Sequence, residues 1–422
     1  MISRRTVCIL ACVLCAAGTL FAGGGAEADR KPAAAAPVTI TYWQHSSAAR
    51  DTMMKALAYE FMQANPGISV KMEFIPEADY STKLVSSLAT STGPDVMQVE
   101  SGMIKRLVNA GALQALDPAV LSADRISSEF TPATVDTLQV GGKYYGLPTD
   151  MQTIVLYWNK DLVAAEGLDA EKGPQSWDEF LDWAKKLTKR DGDKMVQSGW
   201  GENGYHPEVQ AFVVQNGGKM VDKDGRYCFA DDPKSAEAIQ WVVDAYRKHK
   251  VFETKFVSRW AGFRQGKVAL MLGHPAMLGN LKQTAPNVKL GIGLIPARAG
   301  RHTTIVTSWA YVMAKKAPSS AATKWVEYLT SADVEKRWTL STGELPARKA
   351  LLTDESLVKD PQLKILLSSL SDSSGGYLQM GILNSIWATG FEKLILSDEP
   401  FSAVLKDMQD NLNKEVAKDS AK

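Results

Sequence analysis

The sequence predicts an α/β protein folded as two lobes, and three observations predict it. The first is alternation: Val38 to Trp43 reads as a strand, Met54, Leu57, Ala58, Phe61 and Met62 form one helical stripe, and Ile68 to Phe74 alternates again. Strand, helix, strand in that order demands a parallel pair and a right-handed crossover. The second is length, since 422 residues suffice for two domains that each bury a core. The third is the stretch 141–160, where a Gly-Gly turn leads through Tyr144 and Tyr145 into Gly146-Leu-Pro148 and then an apolar run from Thr153 to Trp158. Proline fixes φ and lacks an N–H, so Gly146 to Pro148 is not expected inside a regular sheet and reads as a crossing between lobes.

The remaining elements follow in order. Tyr80, Leu84, Val85 and Leu88 mark a second helix, closed by Ser91-Thr-Gly-Pro94, and Asp95 to Val99 is a third strand. Ser176-Trp-Asp-Glu179 is a capping box opening a helix over 177–188. Lys219 to Phe229 is a hairpin candidate around Asp222-Lys-Asp-Gly225, and 233–249 is a long amphipathic helix. Leu290 to Pro296 is a strand ending in proline, taken as a second crossing, and a third is expected near Thr330. The boundaries expected are 38–147 with 297–330 for one lobe, and 148–296 with 331–422 for the other.

The amino terminus is of another kind. Arg4 and Arg5 precede an apolar run to Phe21 and small residues from Ala22, the pattern of a secretory signal over 1–22, followed by a Gly/Ala/Pro tether over 23–37. Cleavage after Ala22 removes both arginines and takes the formal charge from +1 to −1. Cys8, Cys12 and Cys15 lie in that signal, which leaves Cys228 alone, without a disulfide partner or a zinc spacing. A periplasmic or otherwise extracytoplasmic location is expected, with lipidation at Cys12 or Cys15 as the lesser alternative. Near-neutral charge without a basic block argues against nucleic acid and points to a small or neutral ligand.

Several segments resemble the extracellular solute-binding proteins of ABC transporters, of the family-1, sugar-type class. These are 141–162, the first-lobe pattern "YWQHS…FMQANPGISVKMEF…TGPDVMQVE", the run Phe263-Arg-Gln-Gly-Lys-Val-Ala-Leu-Met271, and the Gly343-Glu-Leu-Pro-Ala-Arg348 loop. The resemblance implies a type II periplasmic-binding-protein fold, each lobe an open mixed sheet flanked by helices with a ligand cleft between them. It implies a monomer without cofactor that traps a sugar by hinge closure and hands it to a membrane permease. An exported carbohydrate-active enzyme, or a binder of polyamine or glycerol phosphodiester, is the alternative.

Enzyme signatures fail: there is no G-x-S-x-G, no H-E-x-x-H and no Walker A. Sugars instead need flat apolar rings against their C–H faces and polar side chains against their hydroxyls. Of eleven tryptophans, those in helical patterns, Trp183, Trp241, Trp325 and Trp338, read as core, as does Trp158. Trp43, Trp200, Trp260 and Trp309 lie at strand ends or loops that the resemblance brings near the cleft, with Trp387 behind them. Gln44, His45 and Ser46 end the first strand and Glu100 ends the third, at the carboxyl edge where open sheets bind ligands. Asp150 and Gln152 either contact ligand or satisfy hinge backbone, His274 follows a strand, and one of Tyr144 and Tyr145, taken as Tyr145, faces the cleft. Arg348 either binds ligand or forms a structural ion pair. No metal site is expected.

Overall fold

The computed structural model describes residues 36–202, 204–376 and 382–420. The expected signal, its three cysteines and nearly all of the tether lie outside the described residues.

The chain runs through β1 (Val38–His45), α1 (Ala48–Ala64), β2 (Ile68–Ile75), α2 (Glu77–Ala89), β3 (Val96–Glu100), β4 (Gly146–Thr153) and β5 (Val155–Asn159). It continues through α3 (Trp177–Leu187), β6 (Lys189–Asp191), β7 (Lys194–Trp200), α4 (His206–Gln215), α5 (Pro233–Arg247), α6 (Arg259–Arg264), β8 (Val268–Gly273) and α7 (Ala276–Thr284). Then come β9 (Leu290–Leu294), β10 (Thr304–Met313), α8 (Ser319–Leu329), α9 (Ala332–Thr342), β11 (Ser373–Gly375), α10 (Ile382–Leu396) and α11 (Phe401–Ser420).

These strands make two mixed sheets. The first is ordered β11-β10-β3-β1-β2, with β4 also paired to β10; the second is β9-β5-β8-β7-β6. The β1-α1-β2 unit is parallel in register from Val38 opposite Ile68 to His45 opposite Ile75, so its crossover helix is the stripe read from sequence. Ile40, Tyr42, Met54, Leu57 and Phe61 form one core with Trp325 of α8. A second core gathers Trp158, Trp177, Phe180, Trp200, Phe212 and Trp387 under the other sheet.

The crossing falls elsewhere than expected. β4 pairs antiparallel with β10 along its whole length, so Pro148 is inside a strand of the first sheet, and the chain passes to the second sheet at Ile154. The sheet tolerates the proline because the register shifts between Trp309 and Ala310: Asp150 lies opposite Trp309 and Pro148 opposite Ala310, so the two strands are not evenly matched there. The second crossing, from β9 to β10, is stapled to the first, since the Thr304 hydroxyl donates to the Ile154 carbonyl (2.9 Å) and accepts its N–H (3.2 Å). No return occurs near Thr330. Val334 and Trp338 of α9 and Ala347 beyond it pack in the core of the first sheet, and Leu345 and then Leu351 belong to the apolar cluster around Tyr157 and Met271. The polar stretch from Lys414 continues α11 to Ser420.

Candidate functional site

The carboxyl edges of β1 and β3 and the end of β4 supply one wall. His45 closes β1, with its ring 4.3 Å from that of Trp309 on β10, the planes 34° apart, and Tyr80 of α2 6.0 Å away. Its Nδ1 is buried without a hydrogen-bond partner. Trp309 stands opposite Glu100 in the β10–β3 ladder, and the buried Glu100 carboxylate turns back over Gly102, where a Cβ would come within 3.0 Å of its oxygen. On β4, Asp150 accepts from the Thr149 hydroxyl and the Gln152 amide, while the buried Gln152 Oε1 has no partner. Behind them Arg50 of α1 forms a buried ion pair with Glu344, whose other oxygen accepts from the Trp338 indole N–H. Burial first, and then the Glu344 charge, push the Asp150 carboxyl up to about 7 against the pull of Arg50.

The second wall comes from loops and helix starts. Beyond β7, the Glu202 carboxylate accepts the backbone N–H groups of Gly204 (2.6 Å) and Tyr205 (3.2 Å). The Trp387 indole donates to the Gly204 carbonyl at 2.7 Å. Gly204 has φ +76° and lies against the Phe391 ring where no Cβ fits, so this turn requires glycine. The loop thus holds Tyr205, whose hydroxyl lies 3.2 Å from Nε2 of His274, the residue after β8. His274 Nδ1 is buried and unpartnered. Arg259, opening α6, pairs with Glu208 of α4 and sets its guanidinium 4.6 Å over the Tyr205 ring.

The walls face each other closely enough to feel each other's charge. Burial, then Arg50 and His274, hold His45 well below the usual imidazole range. His274 is lowered to about 3 by burial and Arg259, with Arg50 adding and the Thr153 carbonyl opposing. Burial, with Glu77 and Glu100 of the first wall, raises the Tyr205 phenol. Both imidazoles are therefore neutral at physiological pH and offer neutral donor and acceptor edges. Among the described residues no group of three or more His, Cys, Asp or Glu is placed to hold a metal ion.

Of the residues singled out from sequence, His45, Glu100, Asp150, Gln152, Trp309 and His274 come together in these two walls. The others have different surroundings. Gln44 is spent internally, accepting from the Tyr42 hydroxyl (2.9 Å) and donating to Asp51 (3.3 Å). The Ser46 hydroxyl also donates to Asp51, tying the first turn of α1. Trp43 points to the face that α2 covers, with the Lys83 ammonium 4.9 Å from its ring centre. Tyr145 is half-buried against the cluster around Trp309 and Leu138, and Trp260 is half-buried beside Arg259, 5.7 Å from its ring. Trp200 corrects the expectation most sharply: it has no exposed surface and packs edge-on against Phe180, Phe212 and Phe252 in the core. A strand end under a helix layer is as dry as a strand middle. Arg348 is structural, paired with Glu129 (2.8 Å), donating to the Thr330 carbonyl and covering the Phe130 ring.

Arg50, Glu344, Tyr205, Glu208 and Arg259 were not singled out. Arg50 carried a signal: a cation in the first turn of a helix opposes the macrodipole and needs another reason to be there. Glu344 sits inside the Gly-Glu-Leu-Pro-Ala-Arg loop, four residues from the arginine chosen instead.

Comparison with known proteins bears on the family and the fold. Residues 46–336 match the family described as bacterial extracellular solute-binding protein. A binding protein of Brucella abortus is 25% identical over 400 residues, 92% of this chain and 95% of the relative. The sn-glycerol-3-phosphate-binding periplasmic protein of Salmonella typhimurium is 24% identical over 340 residues, 75% of this chain and 76% of its own. The crystal structure of an ABC transporter solute-binding protein from Thermotoga lettingae, bound with α-D-tagatose, superposes with a TM-score of 0.80 at 23% identity, covering 89% of this chain and 99% of that one.

Proposed function

The chain belongs to the bacterial extracellular solute-binding proteins, and from that premise we propose that it captures a neutral, hydroxyl-rich solute, a mono- or oligosaccharide, between its two lobes and delivers it to an ABC transporter permease. One observation carries the choice of solute: both walls bury polar edges that make no close hydrogen bond among the described residues, while their arginines are already paired. His45 Nδ1, Gln152 Oε1 and His274 Nδ1 are buried without partners, and such atoms are costly unless a hydrogen-bonding group meets them. Hydroxyls, each both donor and acceptor, meet neutral imidazole and amide edges. A phosphate ester, as in the name of the Salmonella relative, calls for an uncommitted cation, and Arg50 and Arg259 are committed to Glu344 and Glu208. The Trp309 indole provides a flat apolar face beside His45.

The cycle is a population shift. Contacts from both walls exist together only when the lobes are closed, so ligand favours the closed form, whose surface a permease reads. No bond is made or broken. The lobes meet at Ile154 and Thr304, the first comprising about 38–153 with 304–347 and the second 155–295 with about 349–420. The protein acts outside the cytoplasm as a monomer.

A thermal-shift and calorimetric panel of D-glucose, D-tagatose, maltose, sn-glycerol 3-phosphate and spermidine tests this. A neutral sugar at 100 times its dissociation constant is expected to add about 2.7 kcal/mol of stability. Stabilisation by the phosphate ester or the polyamine alone would overturn the assignment.

A further inference from the structure

A cavity of about 360 Å³ shares no lining residue with the two walls and differs from them in chemistry. Small-molecule sites run from about 300 to 1,000 Å³, so it is large enough for a solute. One side is the second half of α4 and the turn after it, where Val214 and Met220 are apolar and Lys219 is exposed. The other side is Arg301 and Thr303, ahead of β10, with Ser374 of β11. Phe212, Val213 and Met220 belong to the core under the second sheet, whereas Ser374 stands opposite Ile305 in the first sheet. The cavity therefore lies beside the second crossing, with one side on each sheet's elements.

The backbones that carry its two cations are pinned while their charged heads are unspent. The Lys219 N–H donates to the Asp232 carboxylate and to the Ser235 hydroxyl, each at 2.8 Å. The Arg301 carbonyl accepts from the Gln215 amide at 3.1 Å. Among the described residues neither the Lys219 ammonium nor the Arg301 guanidinium has an ion pair or a side-chain hydrogen bond. Arg298, bridged to Arg301 along the backbone, is by contrast paired with Glu237 at 2.9 Å, and the Asp372 carboxylate accepts from the Thr303 hydroxyl at 3.0 Å. The Ser374 Oγ, also lining the cavity, is buried without a partner. A buried hydroxyl left so is costly, and two free cations beside it call for a group that is negative and accepts hydrogen bonds.

We propose that this cavity is a second solute site, separate from the cleft, that takes a small organic anion. Its oxyanion, a carboxylate or a phosphate, is held by Lys219, Arg301 and the Ser374 hydroxyl, and a short apolar stem lies along Val214 and Met220. The guanidinium fork suits the paired oxygens of such a group, and the lysine adds a point charge. A neutral sugar meets neither cation, so the two sites divide solutes by charge.

The test is isothermal titration calorimetry of the protein with hexanoate, butyl phosphate, inorganic phosphate and 1-hexanol at low ionic strength. Hexanoate or butyl phosphate is expected to bind once per chain and more tightly than inorganic phosphate, and 1-hexanol is expected not to bind; the tighter of the two organic anions identifies the oxyanion. Lys219→Met and Arg301→Met, both at exposed residues, are each expected to weaken that binding by about tenfold. Arg298→Met, whose guanidinium is already paired, is expected to leave it unchanged. Binding of neither organic anion, equal binding of inorganic phosphate or 1-hexanol, or an affinity unchanged in both cation variants overturns the inference. Whichever of D-glucose, D-tagatose and maltose binds is expected to do so alongside the anion, and competition between them would put the anion in the cleft and overturn the second site. If no sugar binds, the proposed function fails while the anion result stands.

Discussion

The two walls of the cleft each cancel a buried arginine against a carboxylate and differ in what surrounds that pair. The first sets the buried carboxyls Glu100, Asp150 and Glu344 around Arg50, which pairs with Glu344, and burial with the Glu344 charge raises the Asp150 carboxyl to about 7. The second pairs Arg259 with Glu208 and carries His274, which burial keeps uncharged. The first wall is built on strand ends whose register the ladders fix; the second is built on a loop and helix starts that side chains from α10 pin down. The difference teaches that a buried arginine is paired whichever kind of backbone carries it, and that the polar groups around the pair follow from what that backbone offers.

The sharpest way to break this comparison is to uncouple a charge pair. Arg50→Met alone is expected to cost about 3–5 kcal/mol of unfolding free energy in urea titrations, by leaving Glu344 buried and unpaired. Arg50→Met with Glu344→Leu is expected to recover most of it, and no recovery would mean the pair is not the unit. Trp200→Ala is expected to cost a similar amount, about 3–5 kcal/mol, because it opens a cavity among Phe180, Phe212 and Phe252. Ligand affinity lost without any loss of stability in that variant would return Trp200 to the cleft.

Smaller effects distinguish the walls by function. His45→Ala and His274→Ala each remove one unpartnered edge and are expected to weaken sugar binding by about 1–3 kcal/mol in calorimetry. Loss on one wall only would show that closure does not recruit both. The pH dependence has opposite signs in the two walls. Asp150 is raised in the fold, so its contribution is fully present below the unfolded carboxyl range near pH 4 and is lost as pH rises through about 7. His274 is depressed, so its contribution is present above the unfolded imidazole range near pH 6.5 and is lost as pH falls through about 3. Asp150→Asn is therefore expected to gain stability over wild type at pH 8 and to lose that gain at pH 4, read by urea midpoints. A pH-independent difference would sink the assignment.

Legibility in the sequence follows the same division. Most of the first wall was readable, because His45, Glu100 and Gln152 lie at the ends of strands that alternation locates. Of the second wall only His274 was readable, since Tyr205 and Arg259 have their places through contacts with Glu202, Glu208 and Trp387 that no local pattern encodes. The aromatic criterion erred at Trp200 because a tryptophan at a strand end looks the same whether a helix layer or a cleft lies above it. The proline argument erred at Pro148 because the register shift that accommodates the proline belongs to the partner strand, about 160 residues later in the chain.

By itself, then, the sequence determined the succession of strands and helices, the parallel first unit and a chain that passes between two sheets, all consequences of periods of two and 3.6 residues acting over short spans. Tertiary structure alone decided which polar side chains are spent on the fold and which are left for a guest. Arg50 and Glu344 are 294 residues apart and meet only once the chain beyond α9 has returned to the first sheet, and whether a buried polar atom is satisfied is a property of that meeting.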